Sequence, residues 1–455
     1  MDGEADAVPF DVDDIERVLL RATAAALSDD AEAAVELVNA ALRSHGAVVD
    51  HPVTALLLRL GHWKARRLEA FFELAPSIKP RPPRRREALE GILHLSMESA
   101  VEVEQLRLVT AGRLAQEALE LSSRFGSDYP GGRMAATLSA SILYEHNQVD
   151  EADRVIRDRL VLSGSQGGIE GALRAYMVSA RIAAARHQVP FAVLLLCEAE
   201  SLGAERDWPR LTAASLAERV RVLADDGRMT EAAECAARLA LMSMMSCSAA
   251  NKELLARDVV VSHARLELVR GASEHTAASL SRIVADCRSR RENHFAVEVQ
   301  MLLACTLHEL GRHDLAMNEA MQAIELGATA GLYRTFLDGG EPTRRLLDWL
   351  FERRVDDAGI LGKVRPYVRT LLRGFPVPTR QVATARTKHR SGDSLSPRER
   401  HILTLISHGL SNKRIAKELA IAPETVKSHA KHILLKLAAQ TRVEAVSRAH
   451  SLGLI

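Results

Sequence analysis

Aromatic residues are scarce in this chain, 4% of its 455 positions, although 47% are hydrophobic. An interior with so few rings must be built from Ala, Leu and Val, which suits close helix packing better than sheets. An all-α fold is therefore expected. Long apolar runs are also missing: nothing approaches the roughly 18 consecutive apolar residues of a membrane-spanning helix. The acidic start MDGEADAVPFDVDD lacks the basic and apolar regions of a secretory signal. A cytoplasmic location with no membrane partner follows as an expectation. The five cysteines, Cys197, Cys235, Cys247, Cys287 and Cys305, are scattered without a C-x-x-C pair or a companion His cluster. That pattern argues against a zinc framework and predicts buried free thiols.

The signatures of catalysis are missing too. The chain contains no GxxxxGK[ST] phosphate loop, no GxSxG elbow and no dinucleotide fingerprint, and its 17 His are dispersed. His308-Glu309 with His313 has a spacing of five where a zinc protease needs four. On one helix those imidazoles would diverge by about 140°. Asp11, Asp13 and Asp14 precede helical sequence rather than the alternating strands and helices of a phosphoacceptor domain, so a capping or solvated role is expected for them. No enzyme, catalytic residue, cofactor or metal is expected.

The near-neutral formal charge of +1 conceals an asymmetry. Residues 380–455 hold 14 Lys or Arg against 5 Asp or Glu, a net +9, which leaves −8 for residues 1–379. A basic module on an acidic body favours a polyanionic partner. The length also exceeds what one compact core accommodates.

Residues 12–75 carry helical periodicity and are followed by KPRPPRRRE, Lys79–Glu87, read as a solvated connector. From about residue 100 the chain repeats. NQVDEA at Asn147, HQVPFA at His187, GRMTEA at Gly227 and GRHDLA at Gly311 each place Ala five residues on, and a weaker copy begins at Gly271. Successive anchors are 40, 40, 44 and 40 residues apart. Gly or Asn releases a helix through left-handed backbone angles, and Ala lets paired helices approach, so a stack of helical hairpins is expected. The pattern resembles tetratricopeptide repeats, and GLYRTFLDGGEPTRRLLDWL, Gly331–Leu350, resembles the closing segment of the repeat domain in MalT-like regulators. Such regulators normally carry a nucleotide-binding switch, and without a phosphate loop ATP-driven switching has no support here. Solenoids of this kind offer a concave surface to an effector, either a protein or a small molecule. The expected organisation is an N-terminal helical segment (1–86), a helical-repeat domain (87–375), a Pro/Ser/Thr-rich linker (376–394) and a terminal domain (395–455).

The terminal 61 residues open with a capping box, Ser396-Pro397-Arg398-Glu399. His408-Gly409 ends that helix, Ser411 caps a second, Pro423 begins a third, and Thr441-Arg442-Val443-Glu444 starts a fourth. On the third helix Val426, Ala430, Ile433 and Leu437 form one apolar stripe, and Glu424, Lys427, Ser428 and Lys431 stand on another face. Two lysines one turn apart on a short helix suit a major-groove reader.

In order, spacing and length the segment is similar to the LuxR-type helix-turn-helix domain. Leu395, Arg398, Glu399 and Leu403 match its opening, and Gly409, Ser411, Asn412, Lys413, Ile415 and Ala416 match its turn. Thr425, Val426, Lys427, His429, Ile433, Lys436 and Leu437 match its recognition helix, and Arg442, Glu444 and Ala445 its last helix. The resemblance implies that Lys427, Ser428 and Lys431 face bases or nearby phosphates, that Thr425 and His429 lie near the DNA backbone, and that Glu399 and Arg442 hold helices together. It also implies pairing through the fourth helix, Thr441–Leu452, and hence a homodimer on double-stranded promoter DNA, with RNA polymerase a further candidate partner. Ala422 departs from the family's capping Ser, at a cost of about 1 kcal/mol; Arg414 stands where Glu is frequent, and Leu435 and Gln440 stand where basic residues are frequent, which weakens phosphate contact. The expected function is sequence-specific transcriptional regulation governed by the solenoid. The rival is a protein-binding adaptor whose terminal domain is vestigial or only dimerises.

Overall fold

The computed structural model describes residues 31–44, 52–64, 67–74, 85–126, 131–160, 168–244, 249–352, 360–375 and 397–455 except 420, 422, 438, 440, 452 and 453, together with Arg17, Arg21, Ala22 and Ala25. The expected linker, Cys247 and Ala422 lie outside these residues. Every regular element among them is helical. The first three are α1 (Ala31–Ser44), α2 (Pro52–Lys64) and α3 (Leu68–Glu73). The next, α4 (Arg85–Glu104), begins two residues before the expected domain boundary. The helices on either side of that boundary share a core in which Leu56, Trp63 and Phe71 pack with Met97 and Val101. Arg59, 2% exposed, ties α2 to α4 through His94 Nδ1 at 2.9 Å and Glu98 at 3.2 Å, and lies over the Phe71 ring.

Hairpins follow in chain order: α5 (Leu108–Ser123), α6 (Gly132–Glu145), α7 (Val149–Leu160), α8 (Ile169–Ala185), α9 (Val189–Glu205), α10 (Pro209–Asp225), α11 (Met229–Ser243), α12 (Ala249–Arg270), α13 (Glu274–Ser289), α14 (Asn293–Glu309) and α15 (His313–Ala330). Consecutive helices pack on each other, and most helices also pack on a further neighbour along the stack. The expected anchors are left-handed: Asn147, His187, Gly227, Gly271 and Gly311 all have positive φ. So do Leu106, Asp207 and Arg291, which lie at turns the sequence motif did not reveal. At seven of these turns the next amide reaches back five residues, as in Gln148 N to Leu143 O, Trp208 N to Gly203 O and Glu292 N to Cys287 O. This is the Schellman closure, which satisfies carbonyls left over at a helix end. The four anchor alanines, Ala152, Ala192, Ala232 and Ala316, are all 0% exposed.

Three helices close the stack: α16 (Arg334–Leu337), α17 (Gly340–Glu352) and α18 (Ile360–Gly374). The closing segment returns to a hairpin nearly 190 residues earlier. Tyr333 N donates to Glu145 O at 3.0 Å, Thr335 N to Glu145 Oε1 at 2.8 Å, and the Tyr144 hydroxyl to Asp338 at 2.9 Å. Phe336 is fully buried beneath this seam.

Four cysteines are described, all as free thiols; Cys235, Cys287 and Cys305 are buried and Cys197 half-buried. Burial pushes the Cys287 and Cys305 thiols up to about 12. His308 and His313 do not share a helix, because α14 ends at Glu309 and α15 begins at His313. The intervening turn brings their rings to 5.1 Å, both against Trp349.

Candidate nucleic-acid interface

The terminal domain consists of α19 (Pro397–Ser407), α20 (Asn412–Glu418), α21 (Pro423–Lys436) and α22 (Arg442–Ser451). Proline opens α19 and α21, where its missing N–H costs nothing. Gly409, at φ 77°, turns the chain after α19. Ser411 Oγ accepts from Arg414 N at 3.4 Å to cap α20, and Thr441 Oγ1 accepts from Glu444 N at 3.1 Å to cap α22.

The core of the domain joins Ile402, Leu403 and Ile406 to Ile415, to Val426, Ala430, Ile433 and Leu437, and to Val446 and Ala449. The whole expected stripe of α21 faces inward, from 0% exposed at Val426 to 9% at Ala430. With that face anchored, Thr425 and Lys427 are exposed on either side of Val426, and His429 is half-buried. Ser428 and Lys431 belong to α21 by backbone, and their side chains lie outside what is described.

Three arginines of the basic tail hydrogen-bond within the domain. Arg442 Nη2 donates to Asn412 Oδ1 at 2.9 Å and bolts α22 to the start of α20; burial lowers the pKa of its guanidinium. Arg448 Nη1 donates to Leu437 O at 2.9 Å, satisfying a carbonyl at the end of α21. Arg398 Nη2 reaches Leu419 O at 3.2 Å, just beyond α20. Arg442 was expected as such a tie; Arg398 and Arg448 were not, since a charge count cannot tell a solvated guanidinium from one spent on a carbonyl. Glu399, 5% exposed, is buried with the core.

A second feature, in the solenoid, is a cavity of about 480 Å³ beneath the closing segment. Val222, Leu268, Met301 and Phe375 supply apolar wall, while Arg221, Arg265, Arg334, Asp225 and Asp338 bring charge. Burial pushes the Asp225 carboxyl up to about 6 despite Arg221 and Arg265. The volume suits a small molecule. Among the described residues no group of three or more His, Cys, Asp or Glu is arranged to hold a metal ion. No helix among them is long and apolar enough to cross a membrane.

Comparison with known proteins matches two stretches of the chain. Residues 16–353 match the model of the MalT-like TPR region, and residues 393–449 match that of the luxR family of bacterial regulatory proteins. The nitrate/nitrite response regulator protein NarL of Escherichia coli K12 is 48% identical over 68 residues, 15% of this chain and 32% of that protein. A nitrate/nitrite response regulator homolog of Haemophilus influenzae is 51% identical over 53 residues, 12% of this chain and 26% of its own. The HTH-type transcriptional regulator AlkS of Alcanivorax borkumensis is 30% identical over 149 residues, 30% of this chain and 17% of that one. The chain thus spans a third or less of the length of each of these relatives.

Proposed function

From the premise that this chain belongs to the family of MalT-like TPR regions and ends in a luxR-family domain, we propose that it is a sequence-specific DNA-binding regulator of transcription. Its solenoid takes the controlling partner, and α21 enters the major groove of double-stranded promoter DNA. Lys427, Ser428 and Lys431 meet bases and nearby phosphates, while Thr425 and His429 lie along the DNA backbone. The observation that carries this function is the fixed orientation of α21. Its apolar stripe is buried to the last residue, so the helix cannot rotate, and Thr425 and Lys427 are held out to solvent.

The protein acts in the cytoplasm, by binding and without a catalytic step, and pairs on DNA as a homodimer. The effector is a small molecule, for which the cavity beneath the closing segment is the candidate seat. RNA polymerase is the natural downstream partner of a promoter-bound regulator.

The test is capture of fragmented genomic DNA by the full-length protein at moderate salt, sequenced beside the Lys427→Ala/Lys431→Ala variant. Discrete sites enriched by the native protein and lost in the variant support the assignment. Equal enrichment by both refutes the site residues, and no enrichment by either favours a protein-binding adaptor.

A further inference from the structure

The contact between the two parts of the chain includes residues that stand outside the core of the part they belong to. In α9, Ala192, Leu195, Leu196 and Ala199 pack inside the solenoid. Leu194, on the same helix, packs instead against the core of the terminal domain, and Phe191 packs against both. A helix with apolar side chains on more than one face must be covered on more than one side. From the opposite direction α19 and α22 pack on α9. Val443 of α22 packs with the solenoid cluster, whereas Ala445, Val446 and Ala449 of the same helix fill the domain's own core. The turn at Gly409 rests here too: a Cβ at that position would stand 3.8 Å from Val193 Cγ1 and 4.0 Å from Cys197 Sγ. Charge is compatible with the docking: Arg228 holds the Glu231 carboxylate of α11 ionised against burial, and Arg219 and, last, Arg414 across the contact add to it.

We propose that α9 is a docking surface for the chain's own terminal domain, and that a second copy of that domain competes with α9 for the Val443 face of α22. The inference rests on the terminal domain acting as a paired DNA reader. In the docked state Thr425 and Lys427 remain exposed, so what docking withholds is the flank of the domain, not its reading helix. Only a few side chains make the contact, and interfaces of that size between domains open readily. Opening uncovers Leu194 on one part and Val443 on the other. Helix-turn-helix domains occupy paired half-sites as two-fold dimers, and a self-complementary apolar flank is what two-fold pairing requires. Docked and paired states are therefore mutually exclusive.

The test uses the full chain without DNA. Sedimentation velocity over a concentration series compares the native protein with Leu194→Glu and with Leu194→Glu/Val443→Glu, and hydrogen exchange follows the amides of α22. Leu194 is chosen because it packs on the terminal domain and is absent from the solenoid clusters. The expected result is a monomeric native protein. Leu194→Glu should self-associate at least about tenfold more tightly, the equivalent of removing one such contact. In that variant, at concentrations too low for pairing, α22 should exchange about tenfold faster. The double variant should exchange as fast yet stay monomeric.

Unchanged exchange and association in Leu194→Glu would overturn the docking. Faster exchange without self-association would overturn the competition, as would a native protein already paired as tightly as the variant. If Leu194→Glu loses helicity, Leu194→Ala carries the same comparison with a smaller expected shift. Neither readout involves DNA, so a failure of DNA capture would count against the proposed function and leave these outcomes standing.

Discussion

Glu218 on α10 is where the closure of the solenoid is most exposed to a single change. It is 5% exposed, and its carboxylate accepts from Arg221 Nε at 2.8 Å and from Arg181 Nη2 at 3.1 Å. Arg221 in turn donates to the carbonyl of Asp338 at 3.3 Å, and the Asp338 carboxylate takes the Tyr144 hydroxyl and Arg334. Glu218→Leu would strip both guanidiniums of their shared buried carboxylate, leaving Arg221 the Asp338 carbonyl and Asp225 at 3.4 Å. Breaking a buried ion pair from one side costs about 3–5 kcal/mol; Arg181, with a third of its side chain exposed, recovers some hydration, so we expect about 3 kcal/mol. A chain of many stacked repeats does not unfold in one step, so the measurement should be local. Hydrogen exchange at the amides of Tyr333 and Thr335 should accelerate about 100-fold. Replacing all three charges, Arg181→Leu/Glu218→Leu/Arg221→Leu, should restore most of the protection, because an apolar substitute of similar volume avoids the desolvation penalty. The two guanidiniums, against the effect of burial, hold the Glu218 carboxyl well below the usual range. Its contribution is therefore present above about pH 4.5 and lost as pH falls, and the single variant should lack that acid sensitivity. An acceleration under fivefold, or a triple variant as labile as the single, would refute the reasoning.

Gly327→Ala should destabilise the closing helices by about 1 kcal/mol by thermal melting. Its Cβ would stand 2.6 Å from Phe336 Cζ in a fully buried seam, and the overpacking outweighs the roughly 1 kcal/mol that Ala gains in a helix. The buried pair Glu145–His294, 3.7 Å apart, gives the same seam a pH window. Burial works against both charges, but each partner prevails in the other, raising His294 and lowering Glu145. Exchange protection at Thr335 should peak between about pH 4.5 and 6.5, fall on the acid side as Glu145 protonates, and fall above pH 6.5 as His294 loses its proton; His294→Gln should abolish the alkaline limb. On DNA, Lys427→Ala/Lys431→Ala should flatten the slope of log affinity against log salt by about 2 per domain in anisotropy titrations, and an unchanged slope would remove both lysines from the phosphates.

Much of this was legible in the sequence, for a reason visible at the turns. Where Gly or Asn occupies the left-handed position, as at Gly227, Gly311 and Asn147, residue type reports backbone geometry directly. Where Leu106, Asp207 or Arg291 takes the same φ, nothing in the residue betrays it, and those three of the eight left-handed turns were hidden. The terminal helices were readable to within a residue or two, because Pro397, Ser411, Pro423 and Thr441 are start signals with their own chemistry. The hidden part is tertiary. No local pattern tells that Tyr144 meets Asp338 across 194 positions, or that His308 and His313 converge through a turn instead of diverging on a helix. Nor does composition separate Leu194, facing the terminal domain, from Leu195, facing the solenoid.

The basic tail illustrates how structure revises a charge argument without reversing it. Fourteen Lys or Arg follow residue 379, and if all met phosphates the salt slope would approach −13 by about 0.9 per contact. Arg398, Arg442 and Arg448 are hydrogen-bonded to Leu419 O, Asn412 Oδ1 and Leu437 O, and moving them onto DNA would unfasten the helices they hold. Arg380, Arg386, Lys388 and Arg390 fall in the expected linker, outside the described residues. At most seven remain on the helices of the domain, which bounds its own slope near −6. The internal ties also separate two roles that look alike in the sequence. Losing Lys427 should weaken binding and leave the fold intact, whereas losing Arg442 should loosen α22 from α20 and weaken binding only as a consequence. The two are told apart by whether thermal stability falls together with affinity.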